Sequence, residues 1–185
     1  AGDGVFHPRL GKEGLHLPFG SGPLVLHRHF HGGVNGGLLL FPPPAGCILR
    51  PLGSRLRLCL ITDAGHVTEQ FGGYIARANY LVLEANHDED MLMMGPYPAY
   101  LKGRISGDYG HLSNKAAAQL LAEHITDRLR HVWLCHISEE NNHPELARKT
   151  VDTCLRSVGI VAGKDFELEV LKRRIPSEIY ELEKK

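Results

Sequence analysis

Three apolar runs in this chain each stop at a residue able to hold a metal ion or carry a proton. Leu56-Arg57-Leu58-Cys59-Leu60-Ile61-Thr62 leads into Asp63, Tyr80-Leu81-Val82-Leu83 into Glu84, and Val132-Trp133-Leu134-Cys135 into His136. Runs this short and this aliphatic read as buried strands. Side chains at strand ends, and in the loops after them, converge on one edge of a sheet. The chain is thereby constrained to an α/β fold with a polar site at that edge. Gly110-His111-Leu112-Ser113-Asn114 adds a further histidine, just ahead of a helical pattern.

The segments between the strands set the layering. Residues 67 to 77 pattern as a short helix. Residues 86 to 105 read as loop-rich, with Pro96 and Pro98 breaking helix. A helix is expected from Asn114 to about Arg130, with Ser113 or Asn114 as N-cap and Ala117, Leu120, Leu121, His124, Ile125 and Leu129 near helical spacing. Pro144 opens another helix to about Val158, ended by Gly159, and Phe166 to Leu171 alternates as a last strand. Strand, helix, strand, helix, strand favours α/β layers. With 185 residues the chain can bury one substantial core.

Residues 1 to 50 differ in kind. They hold more than half of the glycines and prolines and only two acidic residues, Asp3 and Glu13. We expect an irregular segment there, with short strands at Leu24 to Leu26 and Leu38 to Phe41, and a second unit from 51 to 185. The 21 basic and 21 acidic residues balance, which argues against a strongly basic nucleic-acid glove but leaves a local basic patch open. Cys47, Cys59, Cys135 and Cys154 show no CxxC spacing and suit a reducing compartment better than a disulfide scaffold. No run of 18 apolar residues and no charged-then-apolar leader is present, so the expectation is a cytoplasmic protein without a membrane contact.

Each polar candidate has an ordinary reading beside its chemical one. Asp63, before Ala64-Gly65, can bridge two cations through its two oxygens or simply cap a turn. His136 suits a metal edge, since neutral imidazole binds zinc, manganese and iron, but a lone buried histidine more often bonds backbone. His111 sits where helix N-terminal amides favour an anion, which a capping loop would also explain. Glu84 can fix the tautomer of His111. His87 and Asp88 either line a site or pin their loop. Ser113, Asn114, Ser138, Asn141 and Asn142 offer neutral groups for phosphate oxygens. Lys102 and Arg104 add charge to a groove, or are solvated surface. His27-Arg28-His29-Phe30-His31 would put alternate histidines on one strand face, so His29 and His31 are further candidate ligands. A polar edge segment is the more ordinary reading of that string.

Taken together, Thr62-Asp63-Ala64-Gly65, Glu84-Ala85-Asn86-His87-Asp88, Gly95-Pro96-Tyr97-Pro98, Gly110 to Asn114 and His136-Ile137-Ser138-Glu139-Glu140-Asn141-Asn142 resemble the metallo-β-lactamase-fold hydrolases, most closely their YycJ-like (WalJ or VicX) branch. The resemblance covers about residues 52 to 182. It implies a partial αββα sandwich, a mixed sheet with flanking helices, and a divalent metal, zinc or manganese with iron as a third option. It implies Asp63 as the bridging ligand, His136 as the last ligand, and His111 as a proton-transfer or phosphate group.

The family's His-x-His-x-Asp-His motif is not in this sequence, so the chain resembles the C-terminal half of the fold. Three functions are expected on this basis. The first is a metal-dependent phosphodiesterase or nuclease acting on nucleic acid. The second is a catalytically inactive relic acting as a binding module. The third is a hydrolase of a non-nucleic ester or lactam. A half sandwich would expose an apolar sheet face, so a homodimer, or a rearrangement of residues 1 to 50, is also expected to cover it.

Overall fold

The structure, a computed structural model, describes residues 56 to 182 throughout and the backbone of Leu24–Val25 and Cys47–Leu52. His29, His31 and the Leu38 to Phe41 strand expectation lie outside the described residues. In chain order the elements are β1 (Leu24–Val25), β2 (Cys47–Leu52), β3 (Leu56–Ile61), α1 (Glu69–Ile75), β4 (Tyr80–Glu84), α2 (Glu89–Met94), α3 (Ala99–Ile105), α4 (Asn114–His124), β5 (His131–Cys135), α5 (Pro144–Ser157), β6 (Glu167–Val170) and β7 (Ile179–Tyr180). A five-stranded sheet runs β2-β3-β4-β5-β6, and β1 pairs with β7 in a separate ribbon. β2 is antiparallel to β3, and the remaining neighbours are parallel. β2 runs across position 50 and carries Pro51 at the sheet edge, where a missing N–H is tolerated.

Parallel strands need both faces covered, and the alternation along them provides for it. Cys59, Ile61, Leu81, Leu83, Val132, Leu134 and Leu168 face one core. Phe71 and Ile75 of α1, Leu120 and Leu121 of α4, and Val151 and Leu155 of α5 fill that core from the helix side. The alternate positions Leu58, Tyr80, Val82 and Trp133 form a second cluster on the other face. Leu171, Tyr180 and Leu182 pack against it. Trp133 is fully buried there, stacked on His131 with ring centroids 4.0 Å apart and met edge-on by Tyr180. The expectation of an exposed sheet face is therefore overturned, and the homodimer inferred from it loses its premise.

Two helix expectations also need correction. The 86 to 105 stretch contains α2 and α3, because its prolines lie between the helices rather than inside them. Gly95 caps the end of α2, and Pro98 is the N-cap of α3. Asp88 starts α2 by accepting from the Asp90 and Met91 amides at 3.1 and 3.0 Å. Conversely, α4 stops at His124, short of Arg130, although the apolar spacing continues. Ile125 turns extended with ψ 141°, and tertiary hydrogen bonds capture residues 126 to 130. The Thr126 hydroxyl donates to the Ala76 carbonyl at 3.3 Å, and the Arg130 amide to the Asn79 carbonyl at 2.8 Å. The Asn79 side chain accepts from the Arg57 amide and donates to the Arg128 carbonyl, so one amide joins the entries to β3, β4 and β5.

Leu121 is fully buried between the sheet and its neighbouring helices, whereas Val158 is 57% exposed. Leu121→Ala should lower unfolding free energy by about 2–5 kcal/mol, against roughly 0.5 kcal/mol or less for Val158→Ala, in urea denaturation.

Candidate metal centre

The parallel strands deliver their C-terminal ends to one edge, and two of those ends break backbone convention. Asp63, just past β3, has φ 54°, and His136, directly after β5, has φ 56°. They are the only non-glycine residues with positive φ among the described residues. The left-handed conformation costs an L-residue roughly 1–2 kcal/mol and is tolerated where surrounding structure holds it, most often at functional sites. Here it ends each strand abruptly and brings both side chains to a common point.

That point is built over Glu84, the last residue of β4, whose side chain is fully buried. Glu84 Oε2 accepts the Ala64 amide at 3.0 Å, with the Leu112 amide at 3.5 Å. Glu84 Oε1 lies 2.8 Å from Nδ1 of His111 and 2.8 Å from Nδ1 of His136. Asp63 Oδ1 is 3.8 and 3.6 Å from the same two nitrogens. The two rings meet edge to face, 4.8 Å between centroids. One ligand atom from each of Asp63, Glu84, His111 and His136 lies within 4.8 Å of the others. Exposure rises from Glu84 at the floor through the histidines, 28 and 29%, to Asp63 at 41%. Burial pushes the Glu84 carboxyl up, but the hydrogen bonds from His111 and His136, the charge of His111 and the Ala64 amide outweigh it. The carboxyl is held below its ordinary value.

The loops that present these groups are locked together. The His111 amide donates to the Ile105 carbonyl, and the Asn86 amide to the Leu112 carbonyl. A Cβ on Gly65 would collide with the Asp108 carbonyl, so the loop after β3 can lie against the one before His111 only with glycine there. Asn86 donates through Nδ2 to the His136 carbonyl at 2.9 Å. The Asn114 and Asn142 amides donate to each other at 3.0 and 2.8 Å, and Asn142 also reaches the Ala85 and Asn86 carbonyls.

The remaining candidates fall around this frame. Ser113 is the N-cap of α4, accepting from the Ala116 amide, and its hydroxyl donates to Glu89 at 2.9 Å. Ser138 accepts the Asn141 amide at 3.2 Å and stays half-buried. The Asn141 side chain is buried with both polar atoms unpartnered among the described residues. His87 is 2% exposed, and its Nδ1 likewise finds no partner among them. Burial first, then the charge of His111, pushes the His87 imidazole below its ordinary value. Glu89 was not among the sequence candidates. It holds Ser113 and, at 2.9 Å, the Lys115 ammonium. The signal was the acidic run Asp88-Glu89-Asp90, which begins four residues past the end of β4.

Two outcomes are expected from this geometry. Asp63→Gly should be more stable than Asp63→Ala by about 1 kcal/mol in metal-free denaturation, because glycine adopts φ 54° without strain; equal stability would remove the strain argument. A histidine with a depressed folded pKa binds fewer protons than in the unfolded chain. Its stabilising contribution is therefore complete above about pH 6.5 and is lost as pH falls from there toward the lower folded value. His87→Asn should accordingly flatten the fall in Tm between pH 7.5 and 5, with the similarly depressed His131 keeping part of the slope.

No protein-family model matches the chain. It is 43% identical over 123 residues to the exodeoxyribonuclease YycJ of Bacillus anthracis, covering 66% of this chain and 47% of that protein. It is 38% identical over 109 residues to the exodeoxyribonuclease WalJ of Streptococcus pneumoniae, covering 59% and 40%. The chain thus spans about half or less of the length of the curated relatives it matches. Among solved structures it is similar to the metallo-β-lactamase fold protein YhfI from Bacillus subtilis, with a TM-score of 0.46, 16% identity and coverage of 71% and 43%. A diphosphatase from the PhnP family gives a TM-score of 0.36 at 12% identity, covering 74% and 45%. The likeness to YycJ and WalJ runs over 123 and 109 residues, and over that stretch the chain is homologous to them.

Proposed function

We propose that this chain carries half of the active site of a metal-dependent hydrolase that cleaves phosphodiester bonds in nucleic acid. The observation that carries the reading is the convergence of Asp63, Glu84, His111 and His136 within 4.8 Å. A carboxylate and an imidazole, with a second carboxylate and imidazole beside them, make an O,N surround suited to zinc or manganese, with iron as a third option. With both carboxylates ionised the cluster carries excess negative charge in a partly buried pocket, which a divalent cation would neutralise. The exodeoxyribonuclease names of its relatives point to the same substrate class.

In this reading Asp63 and His136 hold the metal. A divalent ion held there would supply water activation near neutral pH and neutralisation of charge at phosphorus. Glu84 accepts Nδ1–H from His111 and so fixes the tautomer in which Nε2 is free to take a proton. The same carboxylate beside Nδ1 of His136 orients that ring as a ligand. Ser113, Ser138 and the buried side-chain amides of Asn114 and Asn142 brace the surrounding loops, the Asn141 amide is left for a phosphate oxygen, and the His87 carbonyl accepts the Asn114 amide at the start of α4. No helix among the described residues is long and apolar enough to cross a membrane. Cys135 and Cys154 are free thiols, and we assign the protein to the reducing cytoplasm.

Elemental mass spectrometry of protein purified without added metal tests the reading. Near-stoichiometric zinc or manganese is expected, removed by Asp63→Ala and by His136→Ala. Glu84→Gln should keep the fold but lower metal affinity or hydrolysis roughly 10–100-fold. Protein that holds no metal and takes up neither added zinc nor manganese would overturn the hydrolase and leave a binding module.

A further inference from the structure

The segment from α2 through α3 to His111 buries Leu92, half-buries Met91, Tyr97, Leu101 and Ile105, and leaves its other large apolar side chains in solvent. Eight large apolar side chains are exposed among the described residues, and four of them, Met93, Met94, Tyr100 and Tyr109, lie between positions 93 and 109. Singly scattered apolar residues need no explanation, but a concentration on one segment does. The backbone beneath is held. The Lys102 ammonium donates to the Met93 carbonyl at 2.6 Å, joining α3 to the end of α2. The Gly110 amide donates to the Gly107 carbonyl, and the His111 amide to the Ile105 carbonyl. The Asp108 carbonyl is 3.1 Å from Nδ1 of His66, on the loop after Asp63. Tyr109, 100% exposed, therefore stands on a pinned turn two residues from His111.

The charge of the segment matches one class of partner. Residues 93 to 109 contain Lys102 and Arg104 against one acidic residue, Asp108. Arg104 is exposed and pairs with no carboxylate among the described residues. Tyrosine faces interleaved with cations, on a strip that runs into the metal cluster, match the stacking platforms of proteins that hold unpaired bases.

We infer that residues 93 to 109 are the docking surface for an unpaired nucleic-acid end, with Tyr100 and Tyr109 stacking on bases and Arg104 neutralising a phosphate. The inference rests on the proposed nucleic-acid substrate and adds which form of it is held, and where. It is tested by fluorescence anisotropy of the 185-residue chain in chelator, where nothing is hydrolysed. The probes are a labelled single-stranded DNA oligonucleotide and the same oligonucleotide with abasic sites at its terminal positions.

Tyr100→Ala with Tyr109→Ala should weaken binding of the intact strand about tenfold and change binding of the abasic strand little. Arg104→Gln should weaken both and reduce the salt dependence of binding by roughly 0.7 in slope. Unchanged affinity of the double tyrosine variant, equal losses on both probes, or no binding by the parent chain would each overturn the inference. So would a wild-type dimer that the tyrosine variant converts to monomer, since the surface would then join copies of the chain. Metal uptake by the tyrosine variant, expected unchanged, separates the two proposals. Stacking can fail while the metal centre stands, and base-dependent binding can persist in a chain that holds no metal.

Discussion

A single buried carboxylate organises this molecule. Glu84 is removed from water at the end of the central strand, a position where an uncompensated charge would be prohibitively costly. Its compensation comes from three separate places: the Ala64 amide after β3, the imidazole and Leu112 amide before α4, and the imidazole after β5. Satisfying one charge therefore fixes the relative positions of three loops. The same requirement explains why the histidines approach through Nδ1, and why Asp63, bound less closely, is left as the most exposed member.

The sheet makes this arrangement possible. Parallel strands send successive C-terminal ends to the same edge, and covering both faces gives each strand a rigid frame. Left-handed backbone at Asp63 and His136 then turns each side chain off the strand line. Strain of this kind is stable only where packing on either side is already complete, as it is for Ile61 and Leu134, both fully buried.

Much of this was legible in the sequence, for a physical reason. Apolar runs of strand length are closed by one polar residue, and burial of the run dictates where that residue must emerge. Three members of the cluster, Asp63, Glu84 and His136, stood at such positions, and His111 stood in a glycine-flanked loop ahead of a helical pattern. The features that stayed hidden depended on distant partners. The end of α4 at His124 is set by hydrogen bonds to Ala76 and Asn79, which no local pattern encodes. The helices within 86 to 105 were masked because prolines at helix boundaries and inside helices look alike in a string. The mutual bonding of Asn114 and Asn142, 28 residues apart, could not be told from solvent-facing polarity. The cover over the Trp133 face comes partly from Leu171, Tyr180 and Leu182, at the far end of the chain.

The order of the cluster along the chain has a consequence for how the protein is made. Its members enter at positions 63, 84, 111 and 136, so the first and last must meet across 73 residues. Contacts of such range form late, after local helices and neighbouring strand pairs have reduced the entropy of closing the loop. A chain emerging from the ribosome carries no assembled centre until β5 has docked beside β4. Any ion that binds the completed cluster would act as a late ratchet, holding the last strand pairing in place rather than guiding the early ones.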